Sequence, residues 1–218
     1  MPTEQELYSR FTFEKSGLPD HPVIRTAYDL MLKCEIGDSL IHYKDMCIQR
    51  DIKRAAYVAN GWSSDPDVIA AALLRGAYAN AETQRGTFPT FVGDRVAGLV
   101  RETEKFEAGE DDPKRHSWSD DAKTIIYADC VQSLASWNAS LSTSFAEIAQ
   151  RNEGQIVDPQ YLGPYDNLVK AAAFIQKDLN PTAGSPVAKA ISDALAGSAP
   201  VVQSIQTQSK ALAARVAV

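Results

Sequence analysis

The chain lacks several features that would place it in a broad functional class. No apolar run reaches the roughly 18 residues that a membrane-spanning helix needs. Positive charge is scarce, with 22 Lys and Arg against 28 Asp and Glu and a formal net charge of −6. This balance argues against nucleic-acid or membrane partners bound through bulk charge. The first residues are acidic and carry no apolar signal region, so we expect a cytoplasmic protein.

Cysteine is also rare. The three cysteines, Cys34, Cys47 and Cys130, cannot all pair with one another, and none forms a Cys-X-X-Cys motif. The chain therefore has neither the pattern of a disulfide framework nor that of a cysteine-based zinc or redox site. We expect all three to be free thiols in buried positions.

The 218 residues do contain helical periodicity, and 44% of them are hydrophobic, which is enough for a sizeable core. Apolar residues recur at steps of three or four, first from Val23 to Cys34 and later in a long stripe from Ile126 to Ile148. No convincing strand pattern interrupts them. Residues 68–77 are apolar nearly all round, which predicts an all-α fold with this helix at its buried centre.

Other helices are predicted around this centre. One contains residues 40–48, a second runs from Ile52 to Ala59, and another covers Phe91 to Val100. Lys53 and Arg54 lie on a mixed helix face, and we predict that both are solvated. Residues 107–119 are predicted to form an acidic loop.

The last part of the chain differs in composition from the rest. Residues 181–218 are rich in Ala and Ser and contain no aromatic residue. We predict a helical domain over residues 1–180 and a C-terminal helical extension over 181–218, packed on the core or on a second copy of the chain in a homodimer. The reason is an apolar stripe that needs a cover. Its members are Val202, Ile205, Leu212 and Val216, and they follow an earlier helical pattern of Val187, Ile191 and Leu195.

The most informative pattern runs from Asp51 to Gly76. Arg75 follows Asp51 by 24 positions and ends the apolar run that forms the central helix. Between them, Asn60-Gly61-Trp62 reads as a turn, and Asp65-Pro66 reads as the N-cap and first residue of the next helix.

Two later segments extend this pattern, one around Phe91 and Gly93 and the other around Asp129. In their order and spacing, the segments between about residues 35 and 140 resemble the HD-domain superfamily of metal-dependent phosphohydrolases. The arrangement is most similar to the hydrolase domain of bacterial alarmone (ppGpp) synthetase/hydrolases. Residues 72–78 also resemble the Leu-Leu-His-Ala-Ala-Tyr-like centre of uncharacterised small HD-like proteins, except at the histidine. The resemblance implies an HD-domain-like helical bundle with extra C-terminal helices.

The chain departs from that family at the metal ligands. The family binds its divalent cation with two His and two Asp, whereas here Asp51, Arg75 and Gly76 stand at three of the four positions and only Asp129 is of the expected type. A guanidinium cannot ligate a cation and would repel it. The histidines show no compensating ligand spacing, and they are His21, His42 and His116. We therefore predict no metal, no cofactor and no inherited hydrolase activity.

The same positions supply the candidate site. We predict that Arg75 bridges Asp129 with Asp51 nearby, either replacing the cross-linking role of the cation or gripping an anionic ligand. Tyr78 and Asn80 would lie at the rim of the same pocket as ligand contacts. Tyr78 and Asp129 are the candidate catalytic residues. The structural alternatives are a half-buried aromatic residue at 78 and a helix C-terminal residue at 80.

Three functions stay open at this point. The first is a metal-free protein that has lost phosphohydrolase activity and binds a small molecule or partner in or near the old pocket. The second is a metal-independent lyase, isomerase or cyclase that reuses the pocket. The third is a metal phosphohydrolase with a rebuilt site. Metal analysis of the purified protein separates the third from the other two.

Overall fold

The computed structural model of the protein describes residues 3–37, 44–80, 85–104, 118–133, 135 and 181–197. These residues form helices joined by turns, and no strand occurs among them, which confirms the all-α prediction for this part of the chain. None of the described helices is long and apolar enough to cross a membrane. The chain divides into two compact units, one of residues 1–107 and 112–132 and the other of residues 108–111 and 133–218.

The first unit begins with two short helices, α1 (Glu4–Arg10) and α2 (Phe13–Ser16). Thr3 and Glu6 form a capping box at the start of α1, because the Thr3 hydroxyl accepts from the Glu6 amide while the Glu6 carboxylate accepts from the Thr3 amide. The longer helix α3 (Pro22–Gly37) follows and contains the apolar periodicity that the sequence showed from residue 23 onward.

Helix α4 (Lys44–Tyr57) joins what the sequence divided into two helices around residue 50. It continues into a π-helical turn, Val58–Trp62, in which Gly61 takes a φ of 95° that glycine adopts readily. The rings of Tyr57 and Trp62 lie 5.7 Å apart across this turn. The Asn60-Gly61 signal therefore marked a real end of the helix, whereas no break separates the two halves of α4.

Helix α5 (Pro66–Asn80) is the centre of the first unit. The Asp65 carboxylate accepts from the Asp67 amide at 2.9 Å and caps the helix, while Pro66 occupies the first helical position. Residues 68–74 are all buried, and α5 packs against both α3 and α4. The prediction of a buried central helix is confirmed.

A glycine divides the next predicted helix. A 3-10 turn (Arg85–Thr87) leads into α6 (Phe88–Val92), and α7 (Asp94–Glu104) starts after Gly93, whose φ is 85°. The single helix predicted from Phe91 to Val100 is therefore wrong. Helix α7 packs on α5 through one apolar face.

Helix α8 occupies residues 120–133 and begins earlier than the stripe from Ile126 suggested. The Ser119 hydroxyl accepts from the Ala122 amide at 3.2 Å and caps this helix. Arg95, on α7, donates to Asp65 at 2.6 Å and to Asp121 at 3.0 Å. This arginine ties together the starts of α5, α7 and α8.

The described part of the second unit contains helix α9, over residues 186–197. The Ser185 hydroxyl accepts from the Ala188 amide at 3.1 Å, Ile191 is buried, and Val187 and Leu195 are half-buried. This agrees with the helical pattern of Val187, Ile191 and Leu195, whereas the predicted apolar stripe from Val202 to Val216 lies outside the described residues. Residues 198–218 lie outside the described residues, and the homodimer predicted through them remains a prediction. The predicted domain boundary at residue 180 also remains a prediction.

Candidate functional site

Charged side chains from α3, α4, α5 and α8 of the first unit lie close together. Asp51 and Arg54 lie one turn apart on α4, Arg75 lies near the end of α5, and Asp129 lies on α8. Two further residues join them through ion pairs. The arginine–carboxylate cluster consists of Glu35, Arg50, Asp51, Arg54, Arg75 and Asp129. Its guanidinium and carboxylate groups are equal in number, so their formal charges cancel.

Asp129 is held by two guanidinium groups at once. Arg75 Nη1 donates to Asp129 Oδ2 at 2.6 Å, and Arg54 Nε donates to Asp129 Oδ1 at 2.6 Å. The contact that the sequence predicted between Arg75 and Asp129 is therefore present. Each carboxylate oxygen accepts a short, charge-assisted hydrogen bond, which is the stronger kind in proteins.

Arg54 is the most deeply buried cation of the cluster, with 1% of its side chain exposed. Its Nη1 donates to Asp51 Oδ1 at 2.9 Å and to the Ala72 carbonyl of α5 at 3.0 Å. The prediction that Arg54 is solvated was wrong, because this face of α4 packs against α5 and the guanidinium reaches Asp129 on α8. The sequence carried no signal for this burial, since an acid and an arginine three residues apart on a helix pair equally well on an exposed face.

Asp51 is fully buried and also receives Arg50, whose Nε donates to Asp51 Oδ1 at 3.1 Å. Arg50 reaches the buried Glu35 of α3 at 3.8 Å, and the neighbouring Asp51 charge raises the pKa of Arg50. Within the described residues, Asp51 Oδ2 has no hydrogen-bond partner. The direct cationic partners of Asp51 are therefore Arg50 and Arg54, and its carboxylate lies against Gly76, the residue after Arg75.

Gly76 makes this approach possible. A Cβ at position 76 would collide with the Arg50 guanidinium and with Asp51 Oδ1, and would lie 2.9 Å from Asp51 Oδ2. The space that any other residue would fill at this point of α5 is thus occupied by side chains of α4. The close contact between the two helices depends on the missing side chain.

The electrostatics keep Asp129 ionised. Burial alone would raise the pKa of the Asp129 carboxyl, but the charges of Arg54 and Arg75 outweigh it and lower that pKa to about 2. A carboxylate with so low a pKa is a weak proton acceptor at neutral pH. This position is therefore suited to fixing charge in place rather than to moving protons.

The other two candidate residues lie at the end of α5. The Tyr78 ring is buried and packs edge-on against Phe88, with ring centroids 5.0 Å apart. The structural alternative was a half-buried aromatic residue, and the ring is buried more deeply than that, while a role in ligand binding or catalysis remains a prediction. Asn80 is the last residue of α5, and its side chain lies outside the described residues.

The cluster does not fit a divalent cation. Both oxygens of Asp129 already accept from guanidinium groups, and Arg75 stands where the resemblance would place a histidine. The described residues contain no group of three His, Cys, Asp or Glu side chains that could hold a metal ion. Nδ1 of His21 accepts from the Val23 amide at the start of α3, whereas His42 and His116 lie outside the described residues.

Comparisons of the chain with protein-family models, with curated proteins and with solved structures find no match. The resemblance to HD-domain proteins therefore depends on the spacing of residues in the sequence. Any argument about function has to start from the geometry of the arginine–carboxylate cluster.

Proposed function

We propose that this chain is a metal-independent, HD-like protein that has lost phosphohydrolase activity and binds a small molecule or a partner at the outer edge of the arginine–carboxylate cluster. One observation carries the proposal. The carboxylate expected to ligate a cation, Asp129, instead accepts from Arg54 and Arg75 at 2.6 Å each. The guanidinium groups supply the positive charge that buried carboxylates require, and they do so without losing a proton.

The outer edge is where a ligand could reach this charge. Arg75 and Asp129 each keep 16% of their side chains exposed, whereas Asp51 and Arg54 are buried. A guanidinium at a partly exposed position is a good receptor for a carboxylate or phosphate group, because its planar donors match two acceptor oxygens. We therefore expect an anionic ligand or an acidic segment of a partner at Arg75.

Binding is favoured over metal-free catalysis by the charge state of the cluster. A lyase, isomerase or cyclase needs an acid or base whose pKa lies near the working pH. The lowered pKa of Asp129, about 2, suits a fixed counter-charge instead. Metal-independent catalysis would need a group outside the cluster.

The metal part of the proposal is tested on the full chain, purified without chelators and titrated with Mn²⁺. We expect less than about 0.1 equivalent of transition metal in the purified protein and no saturable Mn²⁺ binding at micromolar concentration. One bound equivalent of Mn or Fe in the unmodified chain would instead support a phosphohydrolase with a rebuilt site.

The ligand part is tested by releasing small molecules from the gently purified chain and identifying them by mass spectrometry. The informative variant is Arg75→Lys, which keeps the charge opposite Asp129 but loses the planar donors. The matched control is Arg95→Lys, at an exposed arginine of α7 that is also surrounded by aspartates. We expect an anionic compound with the unmodified chain and the control and its loss from Arg75→Lys. Equal retention by all three proteins, or no anionic compound from any of them, would contradict binding at Arg75.

A further inference from the structure

A separate cleft of about 240 Å³ lies between the α1–α2 turn and one face of α4. From α4 it is lined by Gln49, Ile52 and Lys53, whose spacing of three and four residues puts them on one side of the helix. The remaining lining residues come from the N-terminal helices and α3, and they are Arg10, Phe11, Thr12, Lys15, Ser16 and Tyr28. The cleft and the arginine–carboxylate cluster have no lining residue in common.

The charge of this cleft is opposite to that of the chain. Three cationic side chains line it, from Arg10, Lys15 and Lys53, and none of its described lining residues is Asp or Glu. The whole chain nevertheless carries a net charge of −6. Arg10 lies 3.9 Å from the Asp45 carboxylate, so this pair is loose. A local cationic surface on an acidic protein attracts small anions.

The cleft also has apolar surface beside its polar and cationic side chains. Phe11 and Ile52 are half-buried, and the Tyr28 ring is almost fully buried, with its hydroxyl donating to the Thr12 carbonyl at 3.3 Å. That hydrogen bond fixes the Tyr28 ring against the α1–α2 turn. Apolar surface beside a few cationic groups is the usual make-up of a site for a small organic anion.

We propose that this cleft binds a small organic phosphate whose phosphate group is held by Lys15, Lys53 and Arg10 and whose apolar ring lies against Phe11 and Ile52. The volume is below the range of drug-sized sites, so the ligand is a small ester rather than an extended chain. The lysines act as point charges and the arginine as a planar donor, as both do in phosphate sites.

Three probes separate the two contributions to binding. Phenyl phosphate carries both the charge and the ring, inorganic phosphate carries only the charge, and phenol carries only the ring. Binding to the full chain is followed by backbone amide shifts in NMR titrations at low salt. We expect phenyl phosphate to bind with a Kd on the order of 1 mM or tighter, and at least about fivefold more tightly than either of the other probes.

Lys15→Gln and Lys53→Gln each remove one cation from the rim, and each should weaken phenyl phosphate binding about fivefold. Lys33→Gln is the matched control, because Lys33 is exposed on α3 and does not line the cleft. Far-UV circular dichroism confirms that the variants fold. Equal affinity for phenyl phosphate and inorganic phosphate, an equal loss in the control, or no binding at about 10 mM would overturn the proposal.

Discussion

Replacing Arg54 with Met should strongly destabilise the protein. The substitution keeps an unbranched side chain of similar length but removes the guanidinium that serves Asp51, Asp129 and the Ala72 carbonyl. Removing one partner of a buried ion pair leaves uncompensated charge and costs about 3–5 kcal/mol. That loss is a large part of the 5–15 kcal/mol that typically separates folded from unfolded proteins.

Urea unfolding followed by far-UV circular dichroism measures this loss. We expect the midpoint of Arg54→Met to fall by roughly 1–3 M relative to the unmodified chain at neutral pH. Arg101→Met is the control, because Arg101 is an exposed arginine of α7 that donates to the Ala97 carbonyl of its own helix. The control should stay within about 0.5 kcal/mol of the unmodified protein.

A second comparison tests the electrostatic reason for that loss. In Arg54→Met, carboxylates with fewer cationic partners bind protons more readily, so acid relieves their repulsion, whereas Asp129 of the unmodified cluster stays ionised down to pH 4. The difference in unfolding free energy between the two proteins should therefore shrink as the pH falls from 7 towards 4. A destabilisation of under about 1 kcal/mol, or one that does not change with pH, would refute the view that Arg54 neutralises buried carboxylates.

Three further outcomes follow from the same geometry. Asp129 has a pKa of about 2 in the folded protein against an ordinary 3.8, so its ionised form stabilises the fold by about 2–3 kcal/mol above pH 4, and this is lost as the pH falls towards 2. The unfolding free energy of Asp129→Asn should therefore depend less on pH in this range, as acid unfolding curves will show. Gly76→Ala should destabilise the protein by about 2 kcal/mol or more in urea unfolding, because the new Cβ collides with Arg50 and Asp51. Gly98→Ala is the control, since its Cβ meets no atom within 4 Å, and it should be neutral or stabilising. Cys34 and Cys130 are buried and their thiols have raised pKa values, so iodoacetamide at neutral pH should label them far more slowly in the folded protein than in the unfolded chain. The mass of the intact protein measures this labelling.

The sequence predicted the general architecture because burial leaves a strong mark on composition. Residues 68–77 could be assigned to the centre of an all-α fold since a helix that is apolar on every side has to be covered. Helix boundaries were less certain. Gly93 was read as part of a helix, but its positive φ ends α6, and a glycine in a helical pattern does not reveal which conformation it takes.

The candidate site was predicted in part. The resemblance implied a contact between Arg75 and Asp129, and that contact is present, while Asp51 and Asp129 share Arg54 as a partner. Arg54 was missed because a charged residue on a mixed helix face is solvated in most proteins. Only the packing of α4 against α5 shows that this arginine faces inward.

The missing side chain at Gly76 also couples the evolution of two helices. A larger residue there forces the Arg50 and Asp51 side chains to move, so substitutions at these three positions affect one another. Relatives of this chain with a larger residue at position 76 should therefore show matching reductions on α4. Placing His at 75 and Asp at 76 would add two metal-ligating side chains, yet the new carboxylate would meet Arg50 and Asp51. A metal site built at this point of α5 would therefore also require changes at Arg50 and Asp51.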